Sequence, residues 1–187
     1  MTYDIIPLPR EKWKDHVLPI GYTTDRYYEV TMEQGDGFTV KLRERIADPP
    51  IVHTPEEYGF PDRLYEDHLT EAEAFGILRD GKLLAAIETC PESWGNRLRI
   101  TELWVDESIR RQGVGRVLMD HAKAKAKREK YRALILETQS CNYNAIGFYL
   151  HEGFTLIGFD ACCYANNDLE RREVRIELGI LFDLEGA

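Results

Sequence analysis

The sequence predicts an α+β fold, a single mixed and mostly antiparallel sheet with helices on both faces. Three observations carry this. Apolar residues alternate with period two over several runs, as half-buried strands do, and two such runs flank Asp80-Gly81, a strong hairpin signal. One long helical pattern covers residues 113–129, with Val114, Val117, Leu118 and Ala122 at i, i+3, i+4 and i+8. The order of elements is strands, long helix, strand, short helix, two strands, which fits one sheet with helices packed on it rather than alternating βα units.

Each element has a local justification. Pro9 and Pro19 bracket a short amphipathic pattern (Trp13, His16, Val17), read as a helix with a proline start and a proline stop. Arg26 to Ala47 reads as a hairpin through Gly35-Asp36-Gly37, with Phe38, Val40 and Leu42 alternating on the way out. Residues 48–70 read as irregular, punctuated by Asp48-Pro-Pro, Thr54-Pro and Phe60-Pro, with a short helix over 61–68. Ala72 to Cys90 is a second hairpin, 91–96 a loop, and Arg97 to Val105 the next strand. Tyr131 to Gln139 is a strand, Asn142 an N-cap for a helix from Tyr143 to His151, and Gly153 its terminator. Phe154 to Tyr164 and Arg171 to Phe182 are the last two strands, joined by a turn at 165–168.

The totals narrow the function classes. The chain has 187 residues, 43% apolar and 30% charged, enough for one domain with a real core. With 24 Lys and Arg against 33 Asp and Glu the formal net charge is −9, which argues against nucleic acid and favours a cationic substrate. No apolar run approaches the ~20 residues of a membrane helix, and no signal peptide is read at the N-terminus, so the protein is expected in the cytoplasm without a membrane partner. Cys90, Cys141, Cys162 and Cys163 lack Cys-x-x-Cys spacing and the histidines lack paired ligand spacing, so no metal is expected. Cys141 lies near the candidate site and reads as a small buried residue. The Lys123–Lys130 basic run reads as a solvated face that complements a helix C-terminus.

The chemistry centres on Ile100 to Arg116. A strand ends in the polar turn Asp106-Glu107-Ser108, followed by Arg110-Arg111-Gln112-Gly113-Val114-Gly115-Arg116 and at once by the long helix. The first N–H groups of a helix have no intrahelical partner, the helix dipole adds positive potential, and glycine lets a ligand approach the backbone, so this is a place to hold a phosphate. No Lys-Ser/Thr pair follows the last glycine, as a P-loop requires, and a dinucleotide fingerprint needs a third glycine.

Arg110-x-x-Gly113-x-Gly115 resembles the acyl-CoA pyrophosphate loop of the GCN5-related N-acetyltransferases (GNAT). Asn142-x-x-Ala145-Ile146-x-Phe148-Tyr149-x-x-x-Gly153-Phe154 is similar to that family's Asn-x-x-Ala…Tyr…Gly-Phe segment, one helix and one strand downstream as the family requires. Leu136-Glu-Thr-Gln139, Phe148-Tyr149 and Tyr164-Ala165-Asn166 resemble the streptothricin acetyltransferase subgroup. The likeness is close from about Phe75 to Ile180 and looser over 25–70.

The resemblance implies one acetyltransferase domain over 1–187, with a cofactor-binding core near 97–165 and acceptor-side elements in 1–70. It implies acetyl-CoA as co-substrate, no metal, and acetyl transfer to a primary amine of a small cationic acceptor, streptothricin the first choice. Alternatives are another amine (an aminoglycoside, a polyamine, a protein amine) or an acyl-CoA-binding module without turnover. In this reading the backbone of Leu103, Trp104 and Val105 holds the pantetheine arm and the thioester oxygen. Arg110, Arg111, Gln112, Gly113, Val114, Gly115 and Arg116 hold the pyrophosphate, and Asn142 and Tyr149 complete the cofactor side.

Tyr149 is the expected proton donor to the leaving thiolate. A free phenol near pKa 10 is a weaker acid than a thiol near 8.5, so its assistance is worth roughly 10²–10⁴ in rate. An alkylamine with a pKa near 10.4 must lose a proton before it attacks, and Glu102 and Glu137 are the candidates to bind the ammonium and take that proton. Alternation puts Glu102 and Trp104 on one face of their strand. Glu66, Asp67, Glu71 and Glu73 are candidates to line the acceptor cleft, each more plausibly part of a solvated segment. The alternation of Arg171 to Phe182 suits either a strand paired across a homodimer or an interior strand.

Overall fold

The computed structural model describes residues 3–56 and 61–183. In chain order these hold β1 (Ile6–Pro7), α1 (Arg10–Trp13), β2 (Tyr22–Gln34), β3 (Phe38–His53), β4 (Glu73–Arg79), β5 (Lys82–Glu92), β6 (Arg97–Val105), α2 (Val114–Arg128), β7 (Ala133–Gln139), α3 (Tyr143–His151), β8 (Thr155–Asp160), α4 (Asp168–Arg171) and β9 (Arg175–Leu181). Seven strands form one sheet in the order β1-β4-β5-β6-β7-β9-β8, and β2 and β3 form a separate two-stranded sheet. β1 with β4, β2 with β3, β4 with β5, β5 with β6 and β8 with β9 pair antiparallel and β6 with β7 parallel, giving the mixed, mostly antiparallel α+β fold read from the sequence. β9 stands between β7 and β8, so its alternation is that of an interior strand.

The chain divides into two compact units, one built from residues up to Ile20, Pro55–Leu136 and those from Ile180 on, the other from Gly21–Thr54 and Glu137–Gly179. In the first, β4 and β5 turn at Asp80 and Gly81, whose φ of 51 and 77 suit a tight hairpin turn. On β5, Ala86 pairs with Trp104 and Glu88 with Glu102, so these four share a sheet face, Glu102 with Trp104 as the alternation requires. Leu8, Trp13, Leu18, Leu64 and Tyr65 form one buried cluster with Ala86 and Trp104 on that face. Phe75, opposite Ile87, meets His121 of α2 at 4.3 Å between ring centroids, and α2 packs on β5 and β6.

In the second unit β2 and β3 form the expected hairpin, and β2 is tied to the end of β7 by the Tyr28 N–H donating to the Ser140 carbonyl at 2.9 Å. Tyr27, Ala47 and Cys141 are its buried cluster, so Cys141 is a core residue. Asn142 caps α3 as read, its side chain accepting from the Ala145 N–H at 3.3 Å, and Gly153 with φ 92 ends the helix region.

Several expectations are corrected. The Pro9–Pro19 pattern gives only the single turn α1, because Asp15 takes φ 61 and the next residues pair elsewhere. The Asp15 N–H donates to the Leu64 carbonyl at 3.0 Å, Leu64 to His16 at 3.0 Å and Leu18 to Asp62 at 2.8 Å. The same bonds keep 61–68 extended and turned rather than helical. Residues 48–53 are not irregular but belong to β3. Arg26 faces Ile46 while Thr24 faces Ile51, so Asp48-Pro49-Pro50 sits in a bulge where no ladder N–H is needed. Of the Phe60-Pro punctuation, Phe60 lies outside the described residues.

β5 continues through Pro91 to Glu92, so the loop is shorter than read. Val117 is 36% exposed, off the buried stripe of Val114, Leu118 and Ala122. Lys125 departs from the solvated basic face: it is 5% exposed and its ammonium donates to Glu73 at 2.8 Å and Glu129 at 2.9 Å. β8 stops at Asp160, whose carboxylate accepts the Cys162 N–H at 2.9 Å. The short helix α4 then precedes β9, and buried Asp168 accepts from the N–H groups of Tyr164 at 2.9 Å and Ala165 at 2.7 Å.

Candidate active site

The loop between β6 and α2 is held from three directions. Buried Ile109 anchors its middle. Asp106 closes its start, its carboxylate accepting from the Ser108 N–H at 3.0 Å and hydroxyl at 2.6 Å. Those two bonds, with Lys82 at 3.3 Å, hold the Asp106 carboxyl below the ordinary carboxylate range. Its own N–H donates to the Leu84 carbonyl at 2.8 Å, and the Arg110 guanidinium returns to the Val105 carbonyl at 2.9 Å, tying the loop to β5 and to the end of β6.

Past that anchor the backbone is arranged for an anion. Arg111 has φ 60 and Gly113 φ 81, so two left-handed residues flank Gln112 ahead of the helix. A non-glycine residue there is strained, and such turns aim successive N–H groups into one concavity. Gly113 is the N-cap of α2 with no side-chain cap bond, so the first N–H groups of the 15-residue helix are offered to a ligand. A Cβ on Gly113 would meet nothing within 4 Å, leaving open space above the backbone. Arg110, Arg111, Gln112 and Arg116 are exposed around it, while Val114 is buried and seats the first turn. The donor set, uncapped N–H groups ringed by arginines, fits a pyrophosphate.

On β6, Glu102, Leu103 and Val105 are half-buried and Trp104 is buried. β6 pairs with β7 over Arg97–Ile100 and Ala133–Leu136, and with β5 up to Ala85 opposite Val105. Glu88 faces Glu102 but Thr89 faces Ile100, so Thr101 is an extra residue, a β-bulge immediately before Glu102.

Sequence reasoning missed Glu88, which is wholly buried. One carboxylate oxygen accepts the Tyr65 N–H at 2.6 Å and the other the Thr101 hydroxyl at 2.8 Å. Burial pushes its pKa up against those bonds. The available signal was an acid closing the apolar run Leu83–Ile87. Of the other acids of this unit, Asp67 pairs with Lys14 at 2.7 Å, Glu66 lies 3.3 Å from His68, and Glu73 serves Lys125.

Glu137, Asn142 and Tyr149 belong to the second unit. Glu137 accepts from the Tyr164 hydroxyl at 3.1 Å and pairs with Arg175 at 2.9 Å. Burial first, then the Glu137 charge, push the Tyr164 phenol well up. Tyr149 is half-buried on α3, its ring 5.5 Å from Phe148 and 6.0 Å from Phe154. Phe154 is 2% exposed and its N–H donates to the Tyr149 carbonyl at 3.0 Å, so Gly153-Phe154 fixes the turn that carries Tyr149.

Among the described residues no helix is long and apolar enough to cross a membrane. Residues 40–154 match the family model described as the acetyltransferase (GNAT) family, a span that contains β6, the loop, Asn142 and Tyr149. A streptothricin acetyltransferase of Streptomyces lavendulae is 34% identical over 148 residues, 76% of each chain. Streptothricin acetyltransferase A of Bacillus subtilis (strain 168) is 32% identical over 74 residues, 40% of this chain and 43% of that one. The crystal structure of nourseothricin acetyltransferase aligns with a TM-score of 0.74 at 28% identity, over 97% of this chain and 99% of that one. A crystal structure from Bacillus anthracis str. Ames in complex with acetyl coenzyme A shares the fold at a TM-score of 0.73 and 21% identity, over 97% and 100% of the two chains. The chain therefore belongs to the GNAT family and is an acetyltransferase.

Proposed function

We propose that this enzyme transfers the acetyl group of acetyl-CoA to a primary amine of streptothricin. The observation that carries the acceptor is the likeness, across three quarters of both chains, to a streptothricin acetyltransferase. The alignment with nourseothricin acetyltransferase over nearly the full length supports it. The net charge of −9 suits a cationic acceptor. The reading places the reaction in the cytoplasm, where acetyl-CoA is available.

Acetyl-CoA supplies an activated thioester as co-substrate. Arg110, Arg111 and Arg116 add charge, and the N–H groups at Gly113–Arg116 add bonds, to hold its pyrophosphate. Asn142 seats α3 on the cofactor side. The backbone of Leu103–Val105 holds the pantetheine arm, and one of its N–H groups donates to the thioester oxygen, where negative charge develops during attack. Support for that assignment comes from the parallel β6–β7 register, which runs to Ile100 and Leu136 and leaves the following residues of β6 for a ligand. Glu102, half-buried beside the bulge, holds the acceptor ammonium as it loses its proton. Tyr149 donates a proton to the departing sulfur. Glu137 adds negative potential on the acceptor side, moderated by Arg175.

The test is purified full-length chain with acetyl-CoA and streptothricin, followed by release of CoA thiol and by mass of the product. The expected result is a singly acetylated streptothricin formed in step with free thiol. No thiol above the rate without acceptor would sink the proposed acceptor. Turnover of an aminoglycoside, polyamine or protein α-amine in the same assay would reassign the substrate.

A further inference from the structure

Glu88 has no role in the account above, yet among the described residues it is the most buried acid of the first unit, with no exposed surface at all. Its bonding partners are a backbone N–H and a hydroxyl rather than a cation. A buried carboxylate without a cation is costly, and a packed apolar residue would serve the fold better unless the charge is used. Its position is informative. Glu88 stands directly across the β5–β6 ladder from Glu102, on the same sheet face, where opposed side chains lie closest. The hydroxyl that reaches it belongs to Thr101, the extra residue of the bulge and the sequence neighbour of Glu102.

We propose that Glu88 is the final store for the proton lost by the acceptor ammonium, reached through the Thr101 hydroxyl. This rests on the acetyl-transfer reading and extends it to the proton. The hydroxyl passes its own proton to Glu88 along the 2.8 Å bond and takes one from the ammonium held at Glu102. The ammonium becomes a free amine, the hydroxyl is restored, and Glu88 becomes a neutral carboxylic acid. Tyr149 protonates the CoA sulfur, the second proton the nitrogen loses on forming the amide restores the Tyr149 phenol, and Glu88 discharges to solvent after product release.

The groups around Glu88 support a proton-accepting state. Burial raises its affinity for a proton most, and Glu66 on the 61–72 segment raises it further. The bonds from Thr101 and Tyr65 and the charge of Arg10 on α1 pull the other way, without cancelling the rise. Glu102 on β6, Cys90 on β5 beyond Glu88, its thiol pKa raised by burial and by the Glu88 charge, and the Tyr65 phenol, raised by burial first and by the Glu88 charge, complete the titratable surroundings. A carboxyl with raised affinity beside a carboxylate that faces the acceptor divides the work into holding a cation and taking its proton.

The experiment pairs kinetics with a direct titration on the full chain. Glu88→Gln preserves size and an acceptor oxygen. It should lower kcat/KM for the acceptor at least about tenfold, with an unchanged KM for acetyl-CoA, and abolish the acid limb of the pH profile. Thr101→Val should give a similar loss and Thr101→Ser should regain most of it, which a purely structural role for Glu88 would not produce. In carboxyl-labelled protein, the carbon resonance missing from Glu88→Gln should titrate above the ordinary glutamate range, and higher still in Thr101→Val. An ordinary titration overturns the proposal whatever the acceptor. So does a Glu88→Gln enzyme within twofold of wild type with the same acid limb, or, if Glu88→Gln does not fold, a Thr101→Val enzyme within twofold. Failure of the acceptor reading would show instead as an inactive wild type.

Discussion

Replacing Gly113 by alanine separates the fold's use of that residue from the ligand's. Its φ of 81 is left-handed, and an added Cβ would touch nothing within 4 Å, so the cost to the unliganded fold is backbone strain alone. Left-handed conformation costs an L-residue about 1–2 kcal/mol. For a chain of this length that lowers Tm by about 2–8 °C. Gly81 supplies a matched control, with φ 77 and nothing within 4 Å, in the exposed β4–β5 turn. Gly81→Ala should lower Tm by the same amount.

The two variants should part company when CoA is added. At Gly113 the methyl enters the space through which a pyrophosphate would approach the uncapped N–H groups of α2. Losing one charge-assisted bond costs about 1.5–3 kcal/mol, a rise in Kd of about 10- to 150-fold. At CoA one hundred times the wild-type Kd, wild type and Gly81→Ala gain about 2.7 kcal/mol of stability. A Gly113→Ala enzyme with a thirtyfold weaker Kd gains only about 0.9 kcal/mol by the same relation. Thermal shift with and without CoA, together with KM for acetyl-CoA by thiol release, measures both quantities. Equal CoA-induced shifts in the two variants would refute the phosphate cradle.

Three further outcomes follow from the same structure. Tyr149→Phe should cut kcat by roughly 10²–10⁴ while leaving CoA binding by thermal shift unchanged; a loss under threefold would remove Tyr149 from the chemistry. Lys125→Met should cost about 1–3 kcal/mol, because it strands Glu73 and Glu129, and should lower Tm by about 2–12 °C. Burial depresses the Lys125 pKa, but its bonds to Glu73 and Glu129 outweigh that and leave it raised. Burial raises Glu129 while Lys125 more than reverses it. The contribution of Lys125 is therefore complete below its unfolded pKa of 10.5 and lost as pH climbs through the folded value. That of Glu129 is complete above 4.5 and lost as pH falls through its folded value, so in denaturant titrations wild type and Lys125→Met should converge at both extremes. Asn142→Ala removes the α3 cap and should cost about 1 kcal/mol in urea unfolding, rescued most nearly by Asp or Ser.

What the sequence made legible was local. The Asp80-Gly81 turn, the α2 stripe apart from Val117 and the Asn142 to Gly153 span of α3 are each decided by residues within a turn or two, and their positions matched. The N-terminal helix was misread because the groups that decide it lie far along the chain: the backbone of residues 15–18 bonds to 62–64 instead of to itself. The prolines at 49 and 50 look like the end of a strand, but the bulge between Thr24 and Arg26 removes the need for their missing donors. The phosphate loop was visible because glycine spacing and the following helix carry it directly. Glu88 was not, because its meaning depends on the strand opposite. In sequence it is one acid ending an apolar run, and only the Thr101 bulge gives it a hydroxyl partner and sets it across from Glu102.

The same dependence on neighbours separates the two acids that the sequence left equivalent. Glu137 is already served by the Tyr164 hydroxyl and the Arg175 guanidinium, and a cation at 2.9 Å cancels most of the field it could offer an ammonium. Arg175 in turn bonds to Glu177 at 2.6 Å, so Glu137 is one member of a network within the second unit. The β5–β6 register sets Glu102 across from a second acid, Glu88. Like charges that close strengthen the pull on an added cation. Glu137→Gln should therefore act mainly on stability, costing about 1–2 kcal/mol as half of a partly buried charged bond. Glu102→Gln should act on the acceptor, raising its KM and lowering kcat/KM by at least about tenfold. Measuring Tm and acceptor kinetics on both variants decides it. A Glu137→Gln enzyme with an intact Tm and a tenfold loss of acceptor kcat/KM would transfer the ammonium-binding role from β6 to β7.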